Sequence, residues 1–598
     1  MDQKNLQNIL EGSVDITRRE LNGQFTTPYE LARILVRMTV LDWTDNFLDC
    51  CCGTGTIAKA ALDIKKERIG KEPAVNTVWA SDKYRYPLQV ANISMTSTDT
   101  INLANRLFQK NALKISVSDK VDITNPSDGN IMHLKLPIMG AVVSNLPFVE
   151  FAKLPTDDLD IILNMIDDFN LDARSDLYFY IAIKIADMLK PDGRLGIITS
   201  NSWLGTGAGS KFIAALRERY DILQIHISGN GRWFQNADVV ATLIILKKSG
   251  ESPEENISFF LWKKSLEDFM LDNELEDDLV NSALLDKEIN PSVCRISKYQ
   301  HKTISEFLDF NVSYNAFFHG INWLHDLQNL TVPIDRIFYV FRGSRRGWDS
   351  MFYPKKGTHN IEDCYLKKVL KNARNIHRLT TEANDDKAFC CGVDIETLKE
   401  LKHNGALEWI GRFVNQKNGV GKPLPEVLKK RGMYWYELKD NEIATFFTTM
   451  NPDKRIFFAK FEGESAFVNQ RLIGMNPRTG YDDFELYHAL LNSVLTIFSV
   501  ESSGFGRGLG VLDINKDNIA SCRVFNPSLI SNKQRNDIVC AFKKIMNRDI
   551  LNVAEELTSN DRLAFEKIVF NAYGVGHILD SVIQSIRSMQ ATRATART

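Results

Sequence analysis

Two acidic residues and two glycines have types and spacing that suit nucleoside binding. Asp49 and Asp82 each end a short apolar run, and Gly53 and Gly55 follow the first of these runs. A carboxylate at the end of a second strand accepts hydrogen bonds from both hydroxyls of a ribose, and glycines let the backbone approach a ligand closely. The turn lacks the Gly-x-x-x-x-Gly-Lys-Ser/Thr pattern that cradles triphosphates. We therefore predict an adenosine ligand, with a helix cap or a solvated acid as the alternative for Asp82.

Three adjacent cysteines, Cys50, Cys51 and Cys52, lie just before the first glycine. Alternate residues of an extended strand point to opposite faces, so these thiols cannot provide the tetrahedral ligand set of a metal site. We expect no metal here and interpret the thiols as small apolar packing residues.

The elements that must position these residues alternate between strand and helix from about residue 23 to residue 248. The runs typical of buried strands are NFLDCC, TVWASD, IMGAVVSN, RLGIITS, ILQIHIS and VVATLIILKK. Between them lie helical patterns such as DLYFYIAIKIADMLK, which we expect to end at Pro191. This order predicts a mostly parallel α/β sheet with both faces covered and ligands beyond the carboxyl ends of its strands.

Composition places this sheet in a larger protein. The chain has 598 residues, 44% of them hydrophobic and 25% charged, and a formal net charge of -2. We expect two or three domains and no global attraction to nucleic acid. No apolar run is long enough for a bilayer span, and the odd number of cysteines, nine, favours free thiols. A cytoplasmic protein without a membrane partner is the expectation.

Three motifs, in this order, resemble those of a known family. They are GQFTTP at residues 23–28, DCCCGTG at residues 49–55 and SNLPF at residues 144–148. They look like motifs X, I and IV of the amino-methylating DNA methyltransferases. The closest match is to the adenine-N6 enzymes of the gamma arrangement in restriction-modification systems of type II and type IIG. The resemblance implies S-adenosylmethionine as cofactor, a Rossmann-like class I methyltransferase domain and a C-terminal mixed α+β target-recognition domain.

The resemblance assigns the chemistry to the loop Asn145, Leu146, Pro147 and Phe148. The side-chain oxygen of Asn145 and the main-chain carbonyl of Leu146 would accept hydrogen bonds from the target amine, whose lone pair is otherwise delocalised into the ring. Phe148 would stack on a base flipped out of the duplex. Leu146 departs from the family pattern, which has a proline there, and gives up the fixed φ of that proline.

The resemblance also assigns the remaining pocket residues. Phe25, Thr27 and Pro28 of the first motif would lie at the methionine part of the cofactor, beside the turn of Gly53 and Gly55. Asn111 stands where the family often has an aspartate facing the adenine amine, and an asparagine accepts that bond through its carbonyl oxygen. Phe234 resembles an aromatic residue that closes over the flipped base, with core packing as an equal alternative.

A basic region follows in the second half of the chain. Residues 341–380 contain ten Lys or Arg and three Asp or Glu. A surface that binds phosphates concentrates positive charge in this way, although a solvated basic face is the alternative. The phosphate contacts we predict are Arg342, Arg345, Arg346, Lys371, Arg374 and Arg378.

These features predict four segments. Residues 1–22 form a short N-terminal helical segment, residues 23–250 the catalytic domain, residues 251–300 a polar junction with a solvated acidic face, and residues 301–598 the DNA target-recognition domain. So short an N-terminal segment predicts no fused nuclease. Any restriction endonuclease or defence-system subunit is expected on a separate chain.

The function predicted from the sequence is site-specific transfer of a methyl group from S-adenosylmethionine to the N6 amine of adenine in double-stranded DNA. Two alternatives remain open. The first is cytosine-N4 methylation, which uses nearly the same loop. The second is a catalytically weak component that binds DNA and S-adenosylmethionine, an option that Leu146 leaves open.

Overall fold

The computed structural model describes most of the chain. The described residues are 26–150, 153–154, 156–234, 240–250, 253–343, 347–383, 386–438, 443–506 and 512–595. The expected sites Phe25, Arg345 and Arg346 lie outside them, as does the N-terminal segment of residues 1–22. Among the described residues no helix combines the length and apolarity needed to cross a membrane.

A nine-stranded sheet organises the first half of the chain, and a separate two-stranded hairpin of β4 and β5 lies beside it. The strands up to residue 300 are β1 (Phe47–Asp49), β2 (Val78–Asp82), β3 (Arg106–Gln109), β4 (Lys120–Thr124), β5 (Ile131–Lys135), β6 (Met139–Asn145), β7 (Leu189–Ser200), β8 (Tyr220–Ser228), β9 (Ala241–Lys248), β10 (Asn256–Trp262) and β11 (Cys294–Gln300). The order in the large sheet is β11-β10-β8-β9-β7-β6-β1-β2-β3, with β9 antiparallel between β7 and β8.

Helices cover this sheet. They are α1 (Tyr29–Thr39), α2 (Thr56–Ile69), α3 (Lys71–Thr77), α4 (Arg85–Met95), α5 (Leu159–Asp168), α6 (Leu177–Lys184), α7 (Gly207–Arg217), α8 (Leu266–Leu271) and α9 (Asn273–Leu285). Along β6, Val142 packs into one hydrophobic core, whereas Ala141 and Val143 pack into the other. Because alternate side chains of a strand face opposite sides, this pattern confirms a sheet buried on both faces.

The structure differs from the expected elements in three places. The sequence runs predicted no strand for β3, β4 or β5, which lie between TVWASD and IMGAVVSN. The helix expected up to Pro191 ends at Lys184, a short 3-10 helix follows, and Pro191 already lies in β7. The segment 251–300, expected as a polar junction, supplies β10 and β11 to the large sheet. Its strands were overlooked because charged helical sequence separates them, although FFLW in β10 is an apolar run of strand type.

The second half of the chain forms smaller sheets and helices. Its strands are β12 (Thr331–Pro333), β13 (Phe338–Arg342), β14 (Leu366–Leu370), β15 (Thr380–Thr381), β16 (Lys387–Phe389), β17 (Ile443–Ala444), β18 (Phe446–Thr449), β19 (Ala459–Phe461), β20 (Ala466–Val468), β21 (Leu472–Pro477), β22 (Phe505–Gly506), β23 (Leu512–Asp513) and β24 (Arg523–Phe525). A five-stranded sheet has the order β13-β21-β18-β19-β15, and a four-stranded sheet has the order β16-β14-β20-β17.

The helices of this half are mostly in its last 120 residues. They are α10 (His301–Leu308), α11 (Ile334–Ile337), α12 (Asp349–Phe352), α13 (Ile395–Glu400), α14 (Asn404–Val414), α15 (Leu424–Val427), α16 (Phe484–Leu491), α17 (Val494–Ser503), α18 (Lys516–Ser521), α19 (Asn532–Met546), α20 (Val553–Glu556), α21 (Asn560–Ala572) and α22 (Leu579–Thr595).

Two hydrophobic cores stabilise this second half. One continues from the large sheet, where Phe259 of β10 stacks on Phe317 with ring centroids 5.2 Å apart. The other is separate and is built around residues such as Phe352, Trp409 and Leu424. The part of the chain around β14, β16 and α12 to α15 therefore has a core of its own.

The acidic stretch of α9 is only partly exposed to solvent. Glu276 is buried and pairs with Arg33 and Arg37 of α1, the second at 2.5 Å. Since α1 begins at Tyr29, directly after the end of the first motif, this ion pair joins the helix that follows the motif to α9.

We expect Glu276→Gln to lower the free energy of unfolding by about 1–3 kcal/mol, because both arginines lose a buried carboxylate and are themselves partly exposed. Urea denaturation followed by tryptophan fluorescence measures the change. The control is Asp278→Asn, which neutralises an exposed carboxylate of the same helix. Equal stability of the two variants would contradict the role of Glu276.

Candidate functional site

The turn between β1 and α2 is built around its two glycines. Both have left-handed backbone angles, with φ of 52° at Gly53 and 89° at Gly55. A Cβ atom at Gly55 would lie 2.8 Å from the Cβ of Ala91 on α4, whereas nothing lies within 4 Å of a Cβ at Gly53. Gly55 thus permits close packing of two helices, and Gly53 leaves space beside the turn.

Asp82 joins this turn to the end of β2. Its two carboxylate oxygens accept the backbone N–H groups of Gly53 at 3.0 Å and of Tyr84 at 2.8 Å. Burial raises the pKa of Asp82, and these two hydrogen bonds oppose that effect. A carboxylate has about four acceptor positions, so Asp82 retains capacity for hydroxyl donors.

Asp49 at the end of β1 is tied to β6 through a serine. Ser144 Oγ donates to Asp49 Oδ1 at 2.7 Å and accepts the backbone N–H of Cys51 at 3.1 Å. Burial raises the pKa of Asp49 to about 7, against the opposing hydrogen bond from Ser144. Ser144 was missed as a site residue, although its place immediately before Asn145 on a buried strand was a usable signal.

The cysteines of the turn pack as expected from their type. Cys50 and Cys52 are buried in the two cores on opposite sides of the sheet, and Cys51 is half-buried. Burial also raises the pKa of Cys52. Neutral buried thiols are poor nucleophiles, so these residues act through their size.

Asn145 and Thr27 meet although 118 residues separate them. The side-chain nitrogen of Asn145 donates to Thr27 Oγ1 at 3.1 Å, and Thr27 is buried. Because this bond uses the amide nitrogen, it fixes the orientation of the whole amide, including its carbonyl oxygen. Pro28 directly precedes α1 and so sets where that helix begins relative to Thr27.

Leu146 is held by a bond that a proline could not make. Its backbone N–H donates to the carbonyl of Ile198 on β7 at 3.1 Å, and its side chain is buried in the core. A proline restrains the loop through its fixed φ, whereas Leu146 restrains it through a hydrogen bond to the neighbouring strand. At Leu146 the departure from the family pattern therefore exchanges one backbone restraint for another.

Aromatic rings surround Phe148. The rings of Tyr178 and Phe234 both meet it edge-on, with centroids 6.5 Å away in each case. Val149 N–H donates to the carbonyl of Pro147 at 3.0 Å, which closes the loop tightly. Phe234 is buried. The structure thus brings Phe234 beside Phe148, an arrangement compatible with both core packing and base contact.

Asn111 lies beyond β3 and has its own set of partners. Its amide nitrogen donates to Asp158 at 2.8 Å, and its oxygen accepts the backbone N–H of Leu113 at 3.1 Å. Asp158 in turn pairs with Lys83 at 3.0 Å and Lys114 at 3.1 Å. These bonds link Asn111 to the residue that precedes α5 and hold its side chain at the end of β3.

The predicted phosphate contacts are only partly available. Arg342, Arg374 and Arg378 are exposed, although Arg342 Nε donates to the carbonyl of Gln470 at 3.1 Å. Lys371 pairs with Asp386 at 2.9 Å, so much of its charge is compensated.

A second basic segment, residues 415–435, was missed. It contains five Lys or Arg and one Glu. A Cβ on Gly347 would lie 4.0 Å from Leu428, which places this basic segment beside Gly347. Within the described chain, four exposed cations of the segment have no ion pair, namely Lys417, Lys422, Lys429 and Arg431. The adjacent positive charges in the sequence PEVLKKRG could have indicated this basic segment.

Comparisons with known proteins find similarity in the part of the chain that contains this site. Residues 15–285 match the family model described as N-6 DNA Methylase. The type II methyltransferase M.BanIII of Aneurinibacillus aneurinilyticus is 30% identical over 143 residues, which are 23% of this chain and 24% of that relative. The similarity thus spans about a quarter of the relative's length.

A solved structure extends the similarity of the fold to the whole chain. The type IIL restriction-modification enzyme MmeI in complex with DNA matches 99% of this chain and 77% of its own, with a TM-score of 0.52 and 12% sequence identity. At that identity the likeness concerns the fold alone. The family match confirms the resemblance carried by the three sequence motifs, and residues 15–285 of this chain are similar to the N-6 DNA methylases.

Proposed function

We propose that the protein transfers a methyl group from S-adenosylmethionine to the N6 amine of a flipped-out adenine in duplex DNA. We further propose that it is the modification enzyme of a restriction-modification or defence system whose endonuclease is a separate protein. The observation that carries the proposal is the hydrogen-bonded convergence of the three motifs, in which Thr27 meets Asn145 and Ser144 meets Asp49.

The cofactor fits the residues at the carboxyl edge of the sheet. The space beside Gly53 admits a ligand close to the backbone, and Asp82 has acceptor capacity for ribose hydroxyls. Thr27 would border the methionine part, and Asn111 the adenine part. S-adenosylmethionine supplies an electrophilic methyl group when bound.

The loop of residues 145–148 would act by orienting the target amine. The lone pair of the target amine nitrogen is delocalised into the purine ring. Acceptors that draw the two N–H groups of this amine out of the ring plane make its nitrogen more nucleophilic. Asn145 offers its side-chain oxygen, oriented by Thr27, and Leu146 offers its carbonyl, held by the bond to Ile198. Phe148 would stack on the flipped base. The anchored Leu146 favours an active enzyme over the catalytically weak alternative.

DNA would bind across the second half of the chain. We propose that residues 301–598 recognise the target sequence, and that Arg342, Arg374 and Arg378 act together with the basic segment 415–435. Positive charge on one face attracts the phosphate backbone irrespective of sequence, whereas base contacts select the site.

Asn145→Ala is expected to lower the single-turnover rate of methyl transfer at least about 100-fold, because the amine loses a preorganised acceptor. Single-turnover transfer from radiolabelled S-adenosylmethionine measures this rate. Modification-sensitive sequencing of DNA from cells that express the protein or the variant reports the modified base and its sequence context. Asn164→Ala, at an exposed position of α5, is the matched control. Equal N6-methyladenine in both samples would remove Asn145 from the mechanism, and N4-methylcytosine alone would identify the enzyme as a cytosine methyltransferase.

The two glycines of the turn offer a matched pair for the cofactor site. Gly55→Ala should lower the free energy of unfolding by about 1–3 kcal/mol and weaken S-adenosylmethionine binding, since the new Cβ overlaps Ala91 and the backbone angle disfavours a side chain. Gly53→Ala meets no neighbouring atom, so it should cost less stability while still intruding on the ligand. Calorimetric titration with S-adenosylmethionine and urea denaturation separate these effects. Unchanged cofactor affinity in both variants would place the cofactor elsewhere.

Replacing Lys417, Lys422, Lys429 and Arg431 by Gln should weaken binding to duplex DNA of any sequence. The slope of log K against log salt should fall by about one for each phosphate contact that the substitutions remove. Fluorescence anisotropy across a salt series gives both quantities.

A control variant with an equal change in net charge isolates the effect of the basic segment. It replaces four exposed lysines outside the segment, namely Lys287, Lys533, Lys543 and Lys567. If both variants show the same affinity and slope, only the net charge matters and the basic segment is not part of the DNA interface.

A further inference from the structure

The chain leaves the sheet after the loop of residues 145–148 and returns beside it. The intervening residues are 150–176, and the backbone N–H of Leu177 donates to the carbonyl of Val149 at 3.0 Å. Asp176 therefore stands one residue from a bond that closes onto the loop. Tyr178, two residues later, meets the ring of Phe148 edge-on.

Asp176 occupies the N-cap position of α6 without capping it. Aspartate at this position commonly accepts a backbone N–H of the first turn, yet Asp176 makes no such side-chain bond. Its carboxylate has no hydrogen bond or ion pair to any of the residues that the structure describes. Because this half-buried carboxylate accepts no backbone N–H from the first turn of α6, it can accept a hydrogen bond or a proton from another group.

The surroundings of Asp176 raise its pKa toward neutral pH, where a general base is most effective. Burial, reinforced by the negative charge of Glu150, raises the pKa of Asp176 to about 6. Nearby titratable groups in the described part of the chain include Lys153, which pairs with Glu150 at 3.8 Å, Asp172, whose pKa is lowered by its bonds to Arg174, and two phenols of α6. Those phenols, Tyr178 and Tyr180, have pKa values raised by burial and stay neutral.

We propose that Asp176 accepts the proton that the target amine must release. The inference rests on the proposed function. In the transfer, the N–C bond forms as the C–S bond breaks and its electron pair remains on sulfur. The nitrogen then carries a positive charge and one proton too many. That proton moves to the Asp176 carboxylate and from there to solvent, which leaves a neutral N6-methylamine. The negative charge of Asp176 also stabilises the cation as it develops.

The test is single-turnover methyl transfer from radiolabelled S-adenosylmethionine to genomic DNA that lacks adenine methylation, measured from pH 5 to pH 8. A base acts in its ionised form, so the wild-type rate should rise through a midpoint at about 6 and then level off. Asp176→Asn should be about 100-fold slower at pH 7.5 and should lose this midpoint. Asp167→Asn, which neutralises an exposed carboxylate of α5, should behave as the wild type.

The variant Glu150→Gln provides an independent test of the proposal. Removing this neighbouring charge should lower the pKa of Asp176, so the midpoint should move to lower pH while the plateau rate stays unchanged. This test decides the question if Asp176→Asn loses cofactor binding or stability. A wild-type rate in Asp176→Asn, or a midpoint that does not move in Glu150→Gln, overturns the proposal. An inactive wild-type protein that still binds S-adenosylmethionine and DNA contradicts the proposed function instead.

Discussion

The parallel pairing of β1 with β2 and β6 is the constraint on which the site depends. Parallel strands end at the same edge of a sheet, so the pairing delivers Asp49, Asp82 and Asn145 to one place from distant parts of the chain. The Ser144–Asp49 hydrogen bond locks β6 to β1 at that edge. Because both faces of these strands are buried, a shift of register would expose core residues, and the edge cannot rearrange without severe disruption of packing.

Around this edge, polar groups restrain the loop that would carry out the chemistry. Thr27 fixes the amide of Asn145, and β7 holds Leu146 through the carbonyl of Ile198. Each restraint comes from a different element, and each costs little reorganisation when a substrate binds. Preorganised acceptors of this kind are effective because their orientation is set before the reaction begins. Where the family pattern has a proline, Leu146 is restrained by its hydrogen bond to β7.

The second half of the chain shares one hydrophobic core with the large sheet and also contains a region with a separate core. The first core continues from β10 into residues 313–327 and the C-terminal helices, where Trp323 donates to Ser585 at 3.1 Å. The core around Trp409 is separate and lies under the basic segment 415–435. The DNA recognition that we propose for this half would benefit from such an arrangement, because a contact surface on the separate core can vary without disturbing the core shared with the large sheet.

The sequence by itself determined six strands of the large sheet, namely β1, β2, β6, β7, β8 and β9, the turn at Gly53 and Gly55, and the resemblance of the loop at Asn145 to a methyltransferase motif. These follow from local periodicity, glycine chemistry and motif spacing, which are properties of neighbouring residues. Only the tertiary structure decided that residues 251–300 complete the sheet, that Ile198 anchors Leu146 and that Asp176 lies beside the loop without a partner among the described residues. Those relations join residues far apart in the chain, and no local pattern encodes which distant backbone or charge a residue will meet.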